Sequence, residues 1–388
     1  MRLEHEHPDC RATGIGSMPH TDSTTATDFV LRTFQAVPFW PQLPRRTFRE
    51  NMYVQFGEHL PGIRIEDEVE RVWVELGAGW LDAAQVFYAA FLEEDATCFA
   101  PGPGYAAGLY ELLGRGPLEV VWAIKGQVTG PISLGLQVTD QDLRPALYDD
   151  MMRDVIVKNV LRHAQWQEAQ LRTLCPRTII SVDEPFLSMV GSAYASLSRE
   201  GVTAALEEIF SGLRGWTCTH CCANTDWSML LETSVDILSF DAYEYAEYLA
   251  LYPDSLRGFL ARGGMLAWGV IPNTGEAAET ITLDGAWEVL ERALVLFERK
   301  GFDRRELLPH SFITPACGTG ALSVPVAERV MRLAAELSGQ VRREYRLAVS
   351  SASQSDSSIP RRARLRSRSH AGESASSLSV SAARSSKI

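Results

Sequence analysis

No apolar run in this 388-residue chain approaches the ~20 residues that a membrane-spanning helix needs, so no membrane partner is expected. The start, Met1-Arg2-Leu3-Glu4-His5-Glu6-His7, lacks the apolar segment of a secretion signal, and a cytoplasmic location follows as the expectation. No Gly-rich phosphate loop opens a helix. Gly14-x-Gly16 has no third glycine in register, which counts against an open nucleotide-binding sheet. A disulfide framework is missing too: the seven cysteines are odd in number, and Cys218, Cys221 and Cys222 crowd into five positions. Reduced thiols, some of them metal ligands, are expected instead. Basic charge is scarce outside the C-terminus. Seven basic and two acidic residues lie from Ser350 onward, so the formal −12 divides into +5 for that tail and −17 for residues 1–349. An acidic body argues against nucleic acid as a partner. The tail, rich in Ser and Arg and nearly free of large apolar residues, is expected to be disordered over 350–388.

Hydrophobic residues make up 46% of the chain, ample for one large core. From about Glu119, short β-rich runs alternate with amphipathic helical stretches. The strand candidates are Val120–Lys125, Thr178–Val182, Gly215–Thr219, Asp236–Phe240, Met265–Val270 and Ser311–Thr314. The helical segments include Leu143–Leu174, Asp226–Thr233 and Ala246–Arg262. Such alternation implies parallel strands joined by right-handed crossovers. Ala12–Gly16 and Val37–Gln42 raise the count to eight, although Pro38 and Pro41 interrupt the second. Eight strands close a (β/α)8 TIM barrel, expected here as a single domain over residues 1–349. The segment from Pro44 to Leu118 is too long for one connection. It reads as helices plus a hairpin inserted between strands 2 and 3.

Chemistry-bearing residues gather at the C-terminal ends of the strand candidates, where such barrels build their sites. His220 and Cys222 are two apart and therefore share a face of an extended strand, while Cys221 points elsewhere and Cys218 lies one step deeper. Cys317 and Asp241 end two other runs. An imidazole with two thiolates suits zinc better than calcium or magnesium, and three protein ligands leave a position open for substrate, with Asp241 as a fourth, exchangeable one. Asp183 and Glu184 close the fourth strand in Ser181-Val182-Asp183-Glu184-Pro185. One of them suits a substrate ammonium group, and either suits a cap on the next segment. Ile15-Gly16-Ser17 follows the first strand, where free N–H groups and Ser17 suit a carboxylate. Arg45 and Arg46 follow the second and suit an anion or solvent.

Together these stretches resemble the cobalamin-independent methionine synthase and uroporphyrinogen decarboxylase-like superfamily, above all the catalytic C-terminal half of methionine synthase. The resemblance runs from about Thr13 to Arg343. His220-Cys221-Cys222 is similar to the family's His-x-Cys zinc motif, Pro315-Ala316-Cys317-Gly318 to its last zinc cysteine, and Asp241 stands where it has a zinc-binding glutamate. Ile15-Gly16-Ser17 resembles its homocysteine-binding Ile-Gly-Ser, and Asp183-Glu184-Pro185 its Asp-Glu-Pro, whose aspartate holds the amino group. Asn51 to Glu58 aligns with a segment that contains the same Phe-Gly-Glu.

The resemblance implies a zinc-dependent methyltransferase acting on a small thiol such as homocysteine, with Asp183 and Asp241 in catalytic roles. The departures bear on the methyl donor. Gln137 replaces a folate-stacking tryptophan, and Ser188 and Met189 replace an Arg-Glu pair that contacts the pterin. These losses favour a corrinoid such as methylcobalamin, free or on a corrinoid protein, over folate. Val54 falls where the family has a glutamate on the substrate amine. Two alternatives remain in view: a tetrapyrrole decarboxylase using Arg45 and Arg46 without zinc, and a non-catalytic zinc- or corrinoid-binding protein.

Overall fold

A computed structural model describes residues 7–190 and 197–347. The expected tail at 350–388 lies outside the described residues. The strands in chain order are β1 (Arg11–Ala12), β2 (Ile63–Glu66), β3 (Arg71–Val74), β4 (Ile124–Thr129), β5 (Thr139–Asp140), β6 (Thr178–Asp183), β7 (Trp216–Cys221), β8 (Ile237–Asp241), β9 (Met265–Ile271) and β10 (Ser311–Pro315). Seven form one curled sheet in the order β1-β10-β9-β8-β7-β6-β4, with every pairing parallel. Helices cross over between them, as the alternation predicts.

The eighth position is irregular. Residues 36–42 run between β4 and the segment that follows β1, and pair with them through isolated parallel bridges, Ser17 with Gln42 and Phe39 with Lys125. Pro38 and Pro41 have no N–H to give a ladder, which is why this stretch joins the edges without becoming a strand. The insertion matches its expected form. β2 and β3 make an antiparallel hairpin, extended by β5, among short helices.

Several boundaries differ from expectation: the strand expected over Ala12–Gly16 is only Arg11–Ala12, and the helix expected over Leu143–Leu174 runs from Asp150 to Leu171. The third barrel strand is displaced to Ile124–Thr129, because its upper residues Lys125, Gln127 and Thr129 are polar and do not look like strand core. The stretch Ala246–Arg262 is two helices, Ala242–Leu249 and Pro253–Ala261, with Pro253 at the first turn of the second. The helix near Asp226 is only Trp227–Leu231.

Side chains alternate along each strand, and the interior divides into three layers. The lowest one is apolar: Val37, Ala123, Ile179, Cys218, Ile237, Met265, Ala267 and Phe312 form a cluster of their own. One alternation higher the same strands carry Lys125, Ser181, His220 and Ser239, and above them Gln127, Asp183 and Asp241. A polar interior built on an apolar plug places chemistry at the C-terminal mouth. Among the described residues no helix is long and apolar enough to cross a membrane.

Candidate metal centre at the barrel mouth

His220 is the penultimate residue of β7, and Cys222 follows the strand's end on the same face. Cys317 enters from the turn after β10. One ligand atom from each of the three lies within 4.8 Å of the others. His220 Nε2 stands 3.5 Å from Cys317 Sγ. Zinc bonds of ~2.1 Å to nitrogen and ~2.3 Å to sulfur at a tetrahedral angle imply an N···S edge of about 3.6 Å, so the donor set fits that ion in type and the His220–Cys317 edge fits it in spacing. The other ring nitrogen, Nδ1, lies 2.9 Å from Ser239 Oγ, which directs Nε2 into the cluster.

The two thiols are shifted in opposite directions. A hydrogen bond from Cys317, then His220, pulls the Cys222 thiol down to about 4, while the same contact together with burial pushes Cys317 up. These contacts favour the thiolate at Cys222 over the thiolate at Cys317. Cys218 and Cys221 are buried and pushed up to about 12 by desolvation. Cys221 Sγ contacts Ala223 O at 3.3 Å, outside the barrel interior.

The remaining predicted residues take distinct places. Asp183 faces the interior, 7% exposed, and accepts from Ser181 Oγ at 2.6 Å; burial pushes its carboxyl up, opposed by Lys125 and His220. Asp241 stands at the rim outside the three-ligand cluster. Its Oδ1 accepts from Glu244 N at 3.0 Å and caps the helix that follows β8, and burial raises it to about 6. Glu184 turns away from the mouth. It is fully buried and accepts from Ile132 N at 2.9 Å, Ser133 N at 2.8 Å and Ser133 Oγ at 2.6 Å, which ties β6 to the helix Pro131–Gln137. Burial outweighs these bonds and raises it to about 7.

Ser17 lies beside this cluster of candidate ligands. Its carbonyl accepts from Thr319 N at 2.9 Å and Thr319 Oγ1 at 3.0 Å, and a Cβ at Gly318 would fall 2.1 Å from Ser17 Oγ. Glycine after Cys317 is what lets the two loops meet. Ile15 is buried just before it. Arg46 is spent on the buried Glu50, and Arg45 donates to Ala321 O at 2.6 Å.

Sequence reasoning missed three residues. Ser239 lies two before Asp241 on one strand, so strand periodicity alone could have found it. Lys125 is a lone cation closing an apolar run, a signal that was there to read. Tyr53 had no signal beyond its place in the Asn51–Glu58 segment. It comes from the insertion, packs edge-on against Phe186 at 6.2 Å, and has its phenol pushed up by burial and by the charges of Glu184, Cys222 and Cys317.

Fold and mouth define a β/α-barrel protein with a candidate metal site. No protein-family model matches the sequence, and no curated protein sequence matches it. Among solved structures, the chain is similar to a B12-independent methionine synthase from Shewanella sp. W3-18-1 in complex with selenomethionine. That match has 16% identity over 86% of this chain and 98% of the other, with a TM-score of 0.52. A methyltransferase from Methanosarcina mazei is matched at 14% identity over 85% and 93% of the two chains, with a TM-score of 0.47. The likeness to the synthase is one of fold, and at that level the resemblance expected from the sequence holds.

Proposed function

We propose that this protein is a zinc-dependent methyltransferase that moves a methyl group to a small thiol, homocysteine before others, from a corrinoid donor. The observation that carries the reading is the convergence of His220, Cys222 and Cys317 at the barrel mouth beside Ser17. Three ligands of this type are what an open, catalytic zinc site uses. Zinc held there would make a coordinating thiol ionise at neutral pH.

The chain's own residues do the rest. Ser239 orients His220. Asp183 holds the substrate ammonium group from the interior, and Ser17 with its neighbouring amides takes the carboxylate. Fixing both ends of an amino acid aims its sulfur, and such positioning lowers the barrier by several kcal/mol. Asp241, the candidate exchangeable ligand, has its cap to Glu244 as a competing role. Gln137, Ser188 and Met189, in place of pterin-contacting residues in the family it resembles, support the corrinoid donor. In this reading residues 1–349 form one catalytic unit. Seven free cysteines suit a cytoplasmic protein. The decarboxylase alternative loses support because Arg45 and Arg46 are both engaged.

The test is zinc analysis combined with turnover. Purified protein is expected to hold one zinc, lost in Cys317→Ala, and to convert homocysteine to methionine with methylcobalamin. X-ray absorption at the zinc edge should gain a sulfur neighbour when homocysteine is added. An unchanged shell and no turnover would sink the proposal.

A further inference from the structure

Lys125 lies in the barrel interior, 4% exposed. Its Nζ donates to Ile15 O at 2.6 Å and reaches Gln127 Oε1 at 3.5 Å, and among the described residues no carboxylate stands within ion-pair distance. Burial lowers the ammonium from its ordinary value, outweighing Asp183, which acts on it electrostatically from beyond contact. An ammonium removed from water with no carboxylate in contact is costly, and apolar side chains of similar size often stabilise such positions. Stability therefore does not account for a lysine here.

The carbonyl that it holds opens the loop of Ile15, Gly16 and Ser17. All three carbonyls of this loop are taken: Ile15 O by Lys125, Gly16 O by Gln42 N at 3.1 Å, and Ser17 O by Thr319. The amides of Gly16 and Ser17 donate to no described residue. A trans peptide is planar, with its C=O and N–H pointing opposite ways. Anchoring Ile15 O inward thus turns the Gly16 N–H outward, and anchoring Gly16 O does the same for Ser17. Two adjacent free N–H groups beside a hydroxyl make a receptor for an anion. A Cβ at Gly16 would meet Gln42 Oε1 at 2.5 Å and Gln127 Cδ at 2.9 Å, so only glycine lets the loop lie this close to β4.

We propose that Lys125 is a positioning residue for recognition of the substrate carboxylate: by holding the Ile15 carbonyl it aims the Gly16 and Ser17 amides at that group. The proposal rests on the reading of the mouth as an amino-acid thiol site. It also makes a buried charge the support of a receptor that the charge itself does not touch.

Calorimetry on the full chain tests it with methionine and with 3-(methylthio)propylamine, the same molecule without its carboxylate. In Lys125→Met, methionine should bind at least tenfold more weakly, the amine should change less than threefold, and Tm should equal or exceed that of the wild type. Lys125→Gln keeps a donor without the charge and should fall between; it carries the comparison if the methionine variant does not fold. Equal weakening of both ligands, no weakening, or no methionine binding to the wild type would overturn the proposal. Carboxylate-selective binding without methyl transfer would instead remove the proposed function and leave the role of Lys125 standing.

Discussion

His220 Nε2 and Cys317 Sγ stand 3.5 Å apart, although the residues are 97 positions apart in the chain. β8 and β9 lie between their strands in the sheet. Three steps of ~4.8 Å would hold them about 14 Å apart in a flat sheet. The curl of the barrel brings them together across its mouth, so the donor cluster depends on closure rather than on any local motif.

The Ser239 hydroxyl bonds the ring nitrogen of His220 that faces away from the cluster. Ser239→Ala should leave the fold intact and weaken zinc by roughly 10- to 100-fold, as the loss of an outer partner does at other sites. Competition with a chromogenic chelator measures this. Unaltered affinity would show that the ring is held by its packing alone.

Removing the metal should expose one particular thiol. After chelation, iodoacetamide at neutral pH should modify Cys222 ahead of the buried Cys10, Cys218 and Cys221, because contacts with Cys317 and His220 lower the Cys222 thiol while burial raises the other three. Zinc should protect it. Mass spectrometry reads each site, and modification of Cys218 or Cys221 at the same rate would contradict the assignment.

Asp241 caps a helix with one of its oxygens. Asp241→Ala should cost about 1 kcal/mol of stability, and Asp241→Asn much less, because an amide oxygen also caps. Both variants should keep stoichiometric zinc. Loss of zinc from the asparagine variant would make Asp241 a required ligand.

Glu184 links pH to stability. Burial raises its carboxyl from the ordinary value of 4.5 to about 7 in the folded protein. Between those values the folded state keeps a proton that the unfolded chain has released, so stability must fall as pH rises through this window. The loss approaches roughly 3 kcal/mol above pH 7 at ~1.4 kcal/mol per unit. Glu184→Gln lacks this term. Urea midpoints of the two proteins should converge or cross between pH 5 and 8, and parallel curves would refute the shift.

Much of the architecture was legible in the sequence because it rests on local repetition. Parallel strands buried on both faces read as apolar runs, and β6, β8, β9 and β10 fall within a residue of their expected ends. β4 did not, since its polar inner face breaks that pattern. The candidate donors stood out for the same reason: each lies at or just past a strand end, and His220 and Cys222 share a face by simple alternation.

Residue types, strand ends and the face of each side chain were thus determined by the sequence alone, through contacts only a few positions apart. The tertiary structure alone decided which strand ends meet. It turned Glu184 toward a neighbouring helix, gave Asp241 a cap to make, and set Lys125 against Ile15 from 110 positions away. The physical reason is that those partners are fixed by sheet curvature and loop docking, which no local spacing records.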